Sequence, residues 1–301
     1  MADRLTPQVG SAARPRPAKL APAAMPEWID LARRGGRMRV DRRPCEADDR
    51  PALLLIGGMT QTLASWGAHL RPLSERRETI VYEARGQGMT ELPLDDCSLP
   101  QQVEDFAALV DALGLRTPVD LCGFSFGGRV ALAIAAAAPA LLRRVAICGV
   151  GLDRSVLARL VVQGWIAALA TGDLEALARV SLPDILGPAY LARHAGSIEA
   201  MVRASIERNR YDGVLALMRQ TQQLADDSPW TTAALAERAG AAGVDALCIG
   251  GALDRLAAPA DVRALAERLH ADAIIIDDVG HTVAIEAPQP WRAALEGFLD
   301  R

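Results

Sequence analysis

The chain has 301 residues, of which 50% are hydrophobic and 23% are charged, and its formal net charge is -4. This balance is typical of a globular protein with a sizeable core, and the length fits one large domain or two modest ones. The slightly acidic charge argues against nucleic acid or an anionic membrane as a partner. No apolar run approaches the roughly 18 residues of a membrane-spanning helix, and the N-terminus lacks the apolar stretch of a signal peptide.

The first 26 residues contain five prolines among alanines and arginines. Prolines at this density cannot join a helix or a strand ladder, because each lacks the backbone N–H. We therefore predict a disordered or polyproline tail over 1–26, which is more typical of a dispensable extension than of a docking arm.

The cysteines are odd in number and include no C-x-x-C pair. Three of them lie in apolar runs that are typical of buried strands, where a free cysteine behaves as a small hydrophobic residue. We predict neither a disulfide framework nor a metal site, and we expect a cytoplasmic, reducing environment. The five positions are Cys45, Cys97, Cys122, Cys148 and Cys248.

Short apolar runs alternate with helical spacings over most of the chain. An edge strand is expected at 37–41. Buried strands are predicted at 52–56, 79–82, 119–122, 141–150, 243–250 and 273–279, and helices at 99–113, 126–138, 259–270 and 291–299. This alternation predicts an α/β fold with a mostly parallel, twisted sheet and helices on both faces.

One long segment interrupts that alternation. Residues 152–235 contain several helical stretches and no convincing strand. We interpret the segment as a helical cap, or lid, inserted into a core formed by 27–151 and 236–301.

A G-x-S-x-G motif at 123–127 stands between a predicted strand and a predicted helix, which is the context of a nucleophile elbow. A Cβ two positions before or after Ser125 would collide with the neighbouring strand or helix, and this explains Gly123 and Gly127. The helix N-terminus directs free N–H groups towards the serine. The context favours a nucleophile over a solvated serine in an ordinary turn.

A serine hydroxyl becomes a strong nucleophile when a base accepts its proton and an acid orients that base. His281 follows the last predicted strand, at the sheet edge that also carries Ser125. Two acids follow strands at the same edge, Asp254 after 243–250 and Asp153 after 141–150. The remaining histidines occupy positions more typical of structural or surface residues, namely His69, His194 and His270.

The oxyanion of a tetrahedral intermediate needs N–H donors. The backbone N–H of the residue after the nucleophile, Phe126, is the first candidate. The second is the N–H of Met59, in the loop that follows strand 52–56.

Together these motifs resemble the α/β-hydrolase superfamily, in particular its capped single-domain branch of esterases, haloperoxidase-type enzymes and related lyases. The resemblance runs from about residue 50 to the C-terminus. The matching segments are 57–66, 83–88, 123–128, 251–254 with Pro259, and 280–281 with Glu286 and Pro288. In this family the order along the chain is Ser, Asp, His, and Asp254 comes one strand before His281, so the resemblance favours Asp254 over Asp153 as the acid.

The chain departs from the family pattern at two positions. Gly57 stands where the family usually has histidine, and Glu83 stands where it usually has aspartate. We expect Glu83 and Arg85 to brace loops rather than to take part in chemistry. The nucleophile position holds serine, so the resemblance does not imply the alkyl-enzyme chemistry of dehalogenases or epoxide hydrolases.

The cap contains no motif that identifies a substrate. Its alternating charges are typical of a solvated helical surface with ion pairs four residues apart. Arg203 and Tyr211, which flank the run Arg208-Asn209-Arg210, are candidates for holding a carboxylate or a phosphopantetheine phosphate, because arginine binds such groups through two hydrogen bonds. Trp165 and Tyr190 are candidates for an apolar pocket, and Gly58 and Thr60 are further substrate-binding candidates.

The primary functional hypothesis is a serine hydrolase that acts on a small ester or thioester, with a CoA- or carrier-linked acyl group as one option. The alternative is a lyase or cyclase of the same fold that uses the serine as a base. A ligand-binding protein on this scaffold is the least favoured reading. The motifs imply no cofactor and no metal, and the sequence sets neither the substrate nor the oligomeric state.

Overall fold

The computed structural model describes residues 26–45, 50–222 and 228–301. Within these ranges eight strands form one sheet, in the order β1-β2-β4-β3-β5-β6-β7-β8. The strands are β1 Glu27–Leu31, β2 Gly36–Arg43, β3 Leu53–Ile56, β4 Thr79–Glu83, β5 Val119–Phe124, β6 Leu142–Cys148, β7 Asp245–Gly251 and β8 Asp272–Ile276. The β1–β2 and β2–β4 pairs are antiparallel and the other pairs are parallel. The predicted mostly parallel sheet is confirmed.

Both faces of the central strands are buried, as their continuous apolar sequences predict. In β3, Leu54 and Ile56 pack into the apolar cluster on one face, while Leu53 and Leu55 pack into the cluster on the other. Successive side chains of a strand point to opposite faces, so a strand covered on both sides must be apolar throughout.

Helices cover the two faces. One layer consists of α2 Leu99–Ala112, α3 Phe126–Ala137, α9 Thr232–Ala241 and α10 Pro259–Leu269. The other consists of α1 Gly67–Ser74, α11 Val283–Glu286 and α12 Pro288–Leu299. These layers place the carboxyl ends of β5, β7 and β8, and the loops that follow them, at one edge of the sheet.

Between β6 and β7 the chain forms the helices of the predicted cap. They are α4 Val156–Leu169, α5 Leu174–Ile185, α6 Pro188–Arg193, α7 Ile198–Glu207 and α8 Tyr211–Gln222. Some of their apolar side chains form a small cluster of their own around Leu177 and Met218. The predicted cap boundary at residue 235 falls inside α9, whose Leu235 and Ala239 pack into the core layer with α3 and α10.

Strand β1 is absent from the predicted strands, and its presence makes β2 an inner strand and not the edge strand expected at 37–41. It pairs antiparallel with β2 at the sheet edge, and most of its side chains are exposed or half-buried. An edge strand with one partner and little burial carries a weak apolar signal. The tail predicted for 1–26 lies outside the described residues, apart from Pro26.

His69 is buried beneath the sheet, between the rings of Trp66 and Trp291. Its Nε2 lies 2.9 Å from the carbonyl oxygen of Ala284 and therefore carries the proton, while its Nδ1 has no hydrogen-bond partner among the described residues. Burial lowers the pKa of His69 from 6.5 to about 4, because the charged ring would lose its hydration. The expectation that this histidine is structural agrees with its position.

We expect His69 to make the protein less stable as the pH falls from 6.5 to about 4. Over that interval the unfolded chain protonates this histidine and the folded chain does not, so unfolding takes up a proton. The loss of unfolding free energy approaches about 3 kcal/mol and is complete below the folded-state pKa. Urea unfolding of His69→Phe at several pH values should lack this component. The control His194→Gln, at a half-buried histidine of the cap, should keep it, and an unchanged slope in His69→Phe would contradict the assignment.

Candidate active site

Ser125 is the single residue between β5 and α3. Its backbone angles are φ 53° and ψ -111°, a left-handed conformation that a residue with a side chain rarely adopts. A Cβ at Gly127 would lie 2.6 Å from the carbonyl oxygen of Ile56, and one at Gly123 would overlap the carbonyl of Gly127. The steric reason predicted for both glycines is confirmed, and the tight turn exposes the serine hydroxyl at the sheet edge.

A hydrogen-bonded chain connects three side chains that lie far apart in sequence. The Oγ of Ser125 lies 2.9 Å from Nε2 of His281, and Nδ1 of His281 lies 2.7 Å from Oδ2 of Asp254. An ionised carboxylate only accepts hydrogen bonds, so Nδ1 carries the proton of a neutral imidazole. Nε2 is then free to accept the serine proton.

The carboxylate of Asp254 is buried and held on both of its oxygens. Oδ1 accepts hydrogen bonds from the backbone N–H groups of Leu256 and Ala257 at 2.8 and 2.9 Å, while Oδ2 faces His281. The other candidate acid, Asp153, is exposed, and its carboxylate has no hydrogen bond or ion pair with a described residue. The structure therefore places Asp254, and not Asp153, beside the imidazole.

Glu286 anchors the loop that carries His281. Its carboxylate accepts hydrogen bonds from the N–H and hydroxyl of Thr282 and, at 2.7 Å, from the N–H of Gly187 in the cap. The N–H of His281 itself donates to the carbonyl of Ile185, at the end of α5. The imidazole is thus positioned jointly by the core and by the cap.

The two backbone amides predicted to face an oxyanion lie beside Ser125. Met59 and Phe126 both line a cavity that includes Ser125 and His281. Neither backbone N–H donates a hydrogen bond to another described residue. The two donors are therefore available to a ligand.

Two glutamines fix the loop around Met59. The side chain of Gln87 donates to the carbonyls of Gly57 and Gly58 at 2.9 and 2.7 Å, and Oε1 of Gln61 accepts from the N–H of Gly58. A Cβ at Gly57 would lie 2.8 Å from Cβ of Gln61. These contacts hold the loop at the position where related chains usually have histidine.

Glu83 and Arg85 brace loops, as expected. The buried carboxylate of Glu83 accepts hydrogen bonds from the N–H groups of Leu63 and Met89, and burial raises its pKa above the ordinary value. Arg85 forms two hydrogen bonds with Asp105 at 2.7 and 2.8 Å. Neither side chain lines a cavity next to Ser125.

A largely apolar cavity of about 270 Å³ opens beside Ser125, between the sheet edge and the cap. Four of the sequence-predicted candidates line it: Gly58, Thr60, Trp165 and Tyr190. The cap also contributes aliphatic and thioether side chains, including Leu177, Leu182, Ile185, Met201 and Met218. The arrangement can accommodate a small apolar group attached to an atom that reacts at Ser125.

Arg203, the remaining candidate, does not reach this cavity. The residues near and on α7 that line it are Met201, Ala204, Ser205 and Arg208. These positions follow the helical spacing of one face, and Arg203 lies on another face and is exposed. Neither cavity beside Ser125 supports the prediction of Arg203 as a substrate-binding residue, and Arg208 of the same cluster is the arginine at the wall of the apolar cavity.

A second, larger cavity of about 480 Å³ shares Met59, Ser125, Trp165, Met218 and His281 with the first. Its wall includes three arginines with no role predicted from the sequence: the half-buried Arg129 and Arg154 and the exposed Arg159. A signal for Arg129 was present, because it lies four residues after Ser125 on α3 and therefore on the same side of that helix. No sequence signal pointed to Arg154.

A family model described as the alpha/beta hydrolase fold matches residues 51–288. Pyrrolizixenacetamide deacetylase of Xenorhabdus hominickii is 27% identical over 83% of this chain and 91% of its own length. A hydrolase from Pseudomonas aeruginosa has a similar structure, with a TM-score of 0.79 at 23% identity over 93% of this chain and all of that one. An enol-lactonase from Burkholderia xenovorans gives 0.74 at 22% identity, over 89% and 98%.

The chain belongs to the α/β-hydrolase fold family. This family, its relatives named as hydrolases and the buried site at the sheet edge identify the chain as an enzyme.

Within residues 26–45, 50–222 and 228–301, none of the helices is long and apolar enough to cross a membrane. Over the same residues, no group of three or more His, Cys, Asp or Glu side chains is placed to hold a metal ion.

Proposed function

We propose that this enzyme is a serine hydrolase that cleaves a small carboxylic ester or thioester through an acyl-enzyme. The observation that carries the proposal is the hydrogen-bonded chain from Ser125 through His281 to Asp254, next to two backbone N–H groups without an acceptor. The names of the relatives, a deacetylase and an enol-lactonase, support hydrolysis at a carbonyl carbon.

In the first half-reaction Ser125 attacks the carbonyl carbon of the substrate while Nε2 of His281 accepts its proton. Asp254 keeps Nδ1 protonated and stabilises the imidazolium that forms. The N–H groups of Met59 and Phe126 bind the oxyanion of the tetrahedral intermediate. His281 then gives its proton to the departing alkoxide or thiolate, which leaves as an alcohol or thiol.

In the second half-reaction a water molecule replaces the alcohol. His281 removes one proton from the water as it attacks the acyl carbon, and the same two N–H groups bind the second oxyanion. Collapse of this intermediate breaks the bond to Ser125, which recovers its proton from His281. The products are a carboxylic acid and the free enzyme.

The apolar cavity supports a substrate with a compact apolar portion. Its wall is built mainly from Leu, Ile, Met and Trp side chains. A volume of about 270 Å³ suits a short or branched chain better than a long fatty acyl chain. A panel of p-nitrophenyl esters and acyl thioesters of increasing length measures this preference.

A fluorophosphonate probe tests the proposal directly. We expect one probe molecule per chain, attached to the tryptic peptide that contains Ser125, because only an activated serine forms the phosphonyl ester. We also expect a burst of about one equivalent of p-nitrophenol from a p-nitrophenyl ester if deacylation is slow. Intact-protein mass spectrometry and stopped-flow absorbance are the measurements.

The matched control is Ser74→Ala in α1, which removes a serine remote from both cavities and should be labelled like the wild type. Labelling that persists after heat denaturation would show nonspecific chemistry and contradict the proposal. Substrate turnover by a folded enzyme that never reacts with the probe would favour the lyase or cyclase reading, in which the serine acts only as a base.

A further inference from the structure

Beyond Ser125, His281 and the two N–H donors, the wall of the second cavity has no role in the mechanism proposed above. It extends from Ser125 in a different direction from the apolar cavity, towards the start of the cap and the threonines before and on α9. Its wall carries Arg129 from α3 and Arg154 from the segment before α4. A catalytic serine therefore lies between an apolar cavity and a cationic one.

Arg129 is a half-buried cation without an anion among the described residues. Its Nε is buried and has no hydrogen-bond partner, and its guanidinium forms no ion pair within the described ranges. Burial and, second, repulsion from Arg154 lower its pKa from 12.5 to about 10. The side chain stays charged at neutral pH. No carboxylate among the described residues offsets the hydration that its buried atom loses.

Arg154 is in a similar position. Among the described residues its side chain makes one long hydrogen bond, of 3.4 Å from Nη1 to the carbonyl of Thr221, and burial lowers its pKa. Apart from these two arginines and His281, the titratable groups of the cavity wall are Arg159 and Asp153, and both are exposed. Arg159 donates to the carbonyl of Arg154 at 2.6 Å.

Buried arginines elsewhere in the protein have carboxylate partners. Arg77 forms an ion pair of 2.8 Å with Asp120, and Arg85 pairs with Asp105 at 2.7 Å. Buried charges are normally paired in this way, because an isolated one is costly. The two cavity arginines are half-buried and have no such partner among the described residues, and they lie in the cavity that contains Ser125.

We propose that Arg129 and Arg154 bind an anionic group of the substrate, a carboxylate or a phosphate, and so select esters that carry a negative charge a short distance from the scissile bond. The inference rests on the proposed function and deepens it. Guanidinium groups bind both kinds of anion through charge-assisted, often paired hydrogen bonds. The group belongs either to the acid or to the alcohol portion of the ester, and a substrate panel distinguishes these cases.

The panel compares each charged ester with its own uncharged isostere. p-Nitrophenyl butyrate and phenyl butyrate are the uncharged reference esters. p-Nitrophenyl hemiglutarate carries a carboxylate on the acid side, and 4-(butanoyloxy)benzoate and 4-(butanoyloxy)phenyl phosphate carry a carboxylate or phosphate on the alcohol side. We expect kcat/KM for at least one charged ester to exceed that of its neutral isostere by about 10-fold or more. The ratio should fall to near or below one in Arg129→Met and decrease in Arg154→Met.

Arg219→Met is the matched control, because it removes an exposed cap arginine that lines neither cavity. It should retain the wild-type ratio of charged to neutral ester. An equal loss in Arg219→Met would assign the preference to net charge and overturn the proposal. So would an unchanged ratio in both Arg129→Met and Arg154→Met.

A measurement without turnover separates this inference from the proposed function. Glutarate and inorganic phosphate are added to the wild type, and the melting temperature is recorded. At least one anion should raise it, since a ligand that binds only the folded state stabilises that state, and the rise should vanish in Arg129→Met. If this holds while no ester is hydrolysed, the anion site stands and the esterase proposal fails. If esters are hydrolysed without charge preference and neither anion stabilises the wild type, the anion site fails alone.

Discussion

Replacing Ser125 with alanine should lower kcat/KM for p-nitrophenyl butyrate by on the order of 10⁴-fold or more. The variant lacks the oxygen that attacks the carbonyl, whereas the two N–H groups and the apolar cavity remain to give a small residual rate. Alanine has a Cβ like serine, so it adopts the positive φ of this turn at the same cost. Steady-state kinetics measure the loss, and thermal unfolding should show a folded protein.

The comparison variant for this experiment is Ser74→Ala, which should hydrolyse the ester at the wild-type rate. If Ser125→Ala loses both its activity and its thermal unfolding transition, the variant has failed to fold. Labelling of Ser125 by the fluorophosphonate probe in the wild type then tests whether this serine is the nucleophile. Undiminished turnover in a folded Ser125→Ala variant would contradict the assignment of the nucleophile.

Replacing Asp254 with asparagine should lower kcat by about 10⁴-fold while leaving the fold in place. The reason lies in the surroundings of this side chain. Two backbone N–H groups, those of Leu256 and Ala257, donate to Oδ1, so the amide oxygen of asparagine must occupy that position. The amide NH₂ then faces His281 and donates to Nδ1, which moves the imidazole proton to Nε2. In that tautomer His281 cannot accept the proton of Ser125.

Asp153→Asn is the matched comparison, since Asp153 is the other acid that chain order alone left open. We expect no comparable loss of kcat in that variant, because its carboxylate has no contact with His281 in the described structure. An Asp254→Asn enzyme with nearly full kcat, or a greater loss in Asp153→Asn, would contradict the proposed orientation of the imidazole.

One side chain, Glu286, forms hydrogen bonds with both the cap and the loop that carries His281. The cap therefore has a structural role beyond forming a cavity wall. Glu286 accepts hydrogen bonds from both Thr282 beside the histidine and Gly187 in the cap, and Ile185 of the cap accepts from the N–H of His281. These are buried hydrogen bonds whose loss leaves unsatisfied groups. The orientation of the His281 imidazole therefore depends on the position of the cap relative to the core.

Much of the core architecture could be predicted because it depends on local sequence. Strands buried on both faces need continuous apolar runs, and β3 shows such a run. The edge strand β1 could not be recognised, because it is mostly exposed and has one neighbour. The sequence predicts the end of the cap at residue 235, within α9. A helix that packs on the core and a helix that packs in the cap have the same spacing of apolar residues, so the sequence does not separate them.

The sequence by itself determined the elbow around Ser125 and the chain order of its partners. The elbow depends on contacts a few residues apart, and glycine is required wherever a Cβ would overlap the neighbouring backbone. The tertiary structure placed Asp254, which the resemblance favoured, beside His281, and only it showed that Arg203 lines neither cavity and that Arg129 and Arg154 line the second one. Those outcomes depend on how helices rotate and loops pack across the whole molecule, and the identity of a charged residue does not record which way it faces.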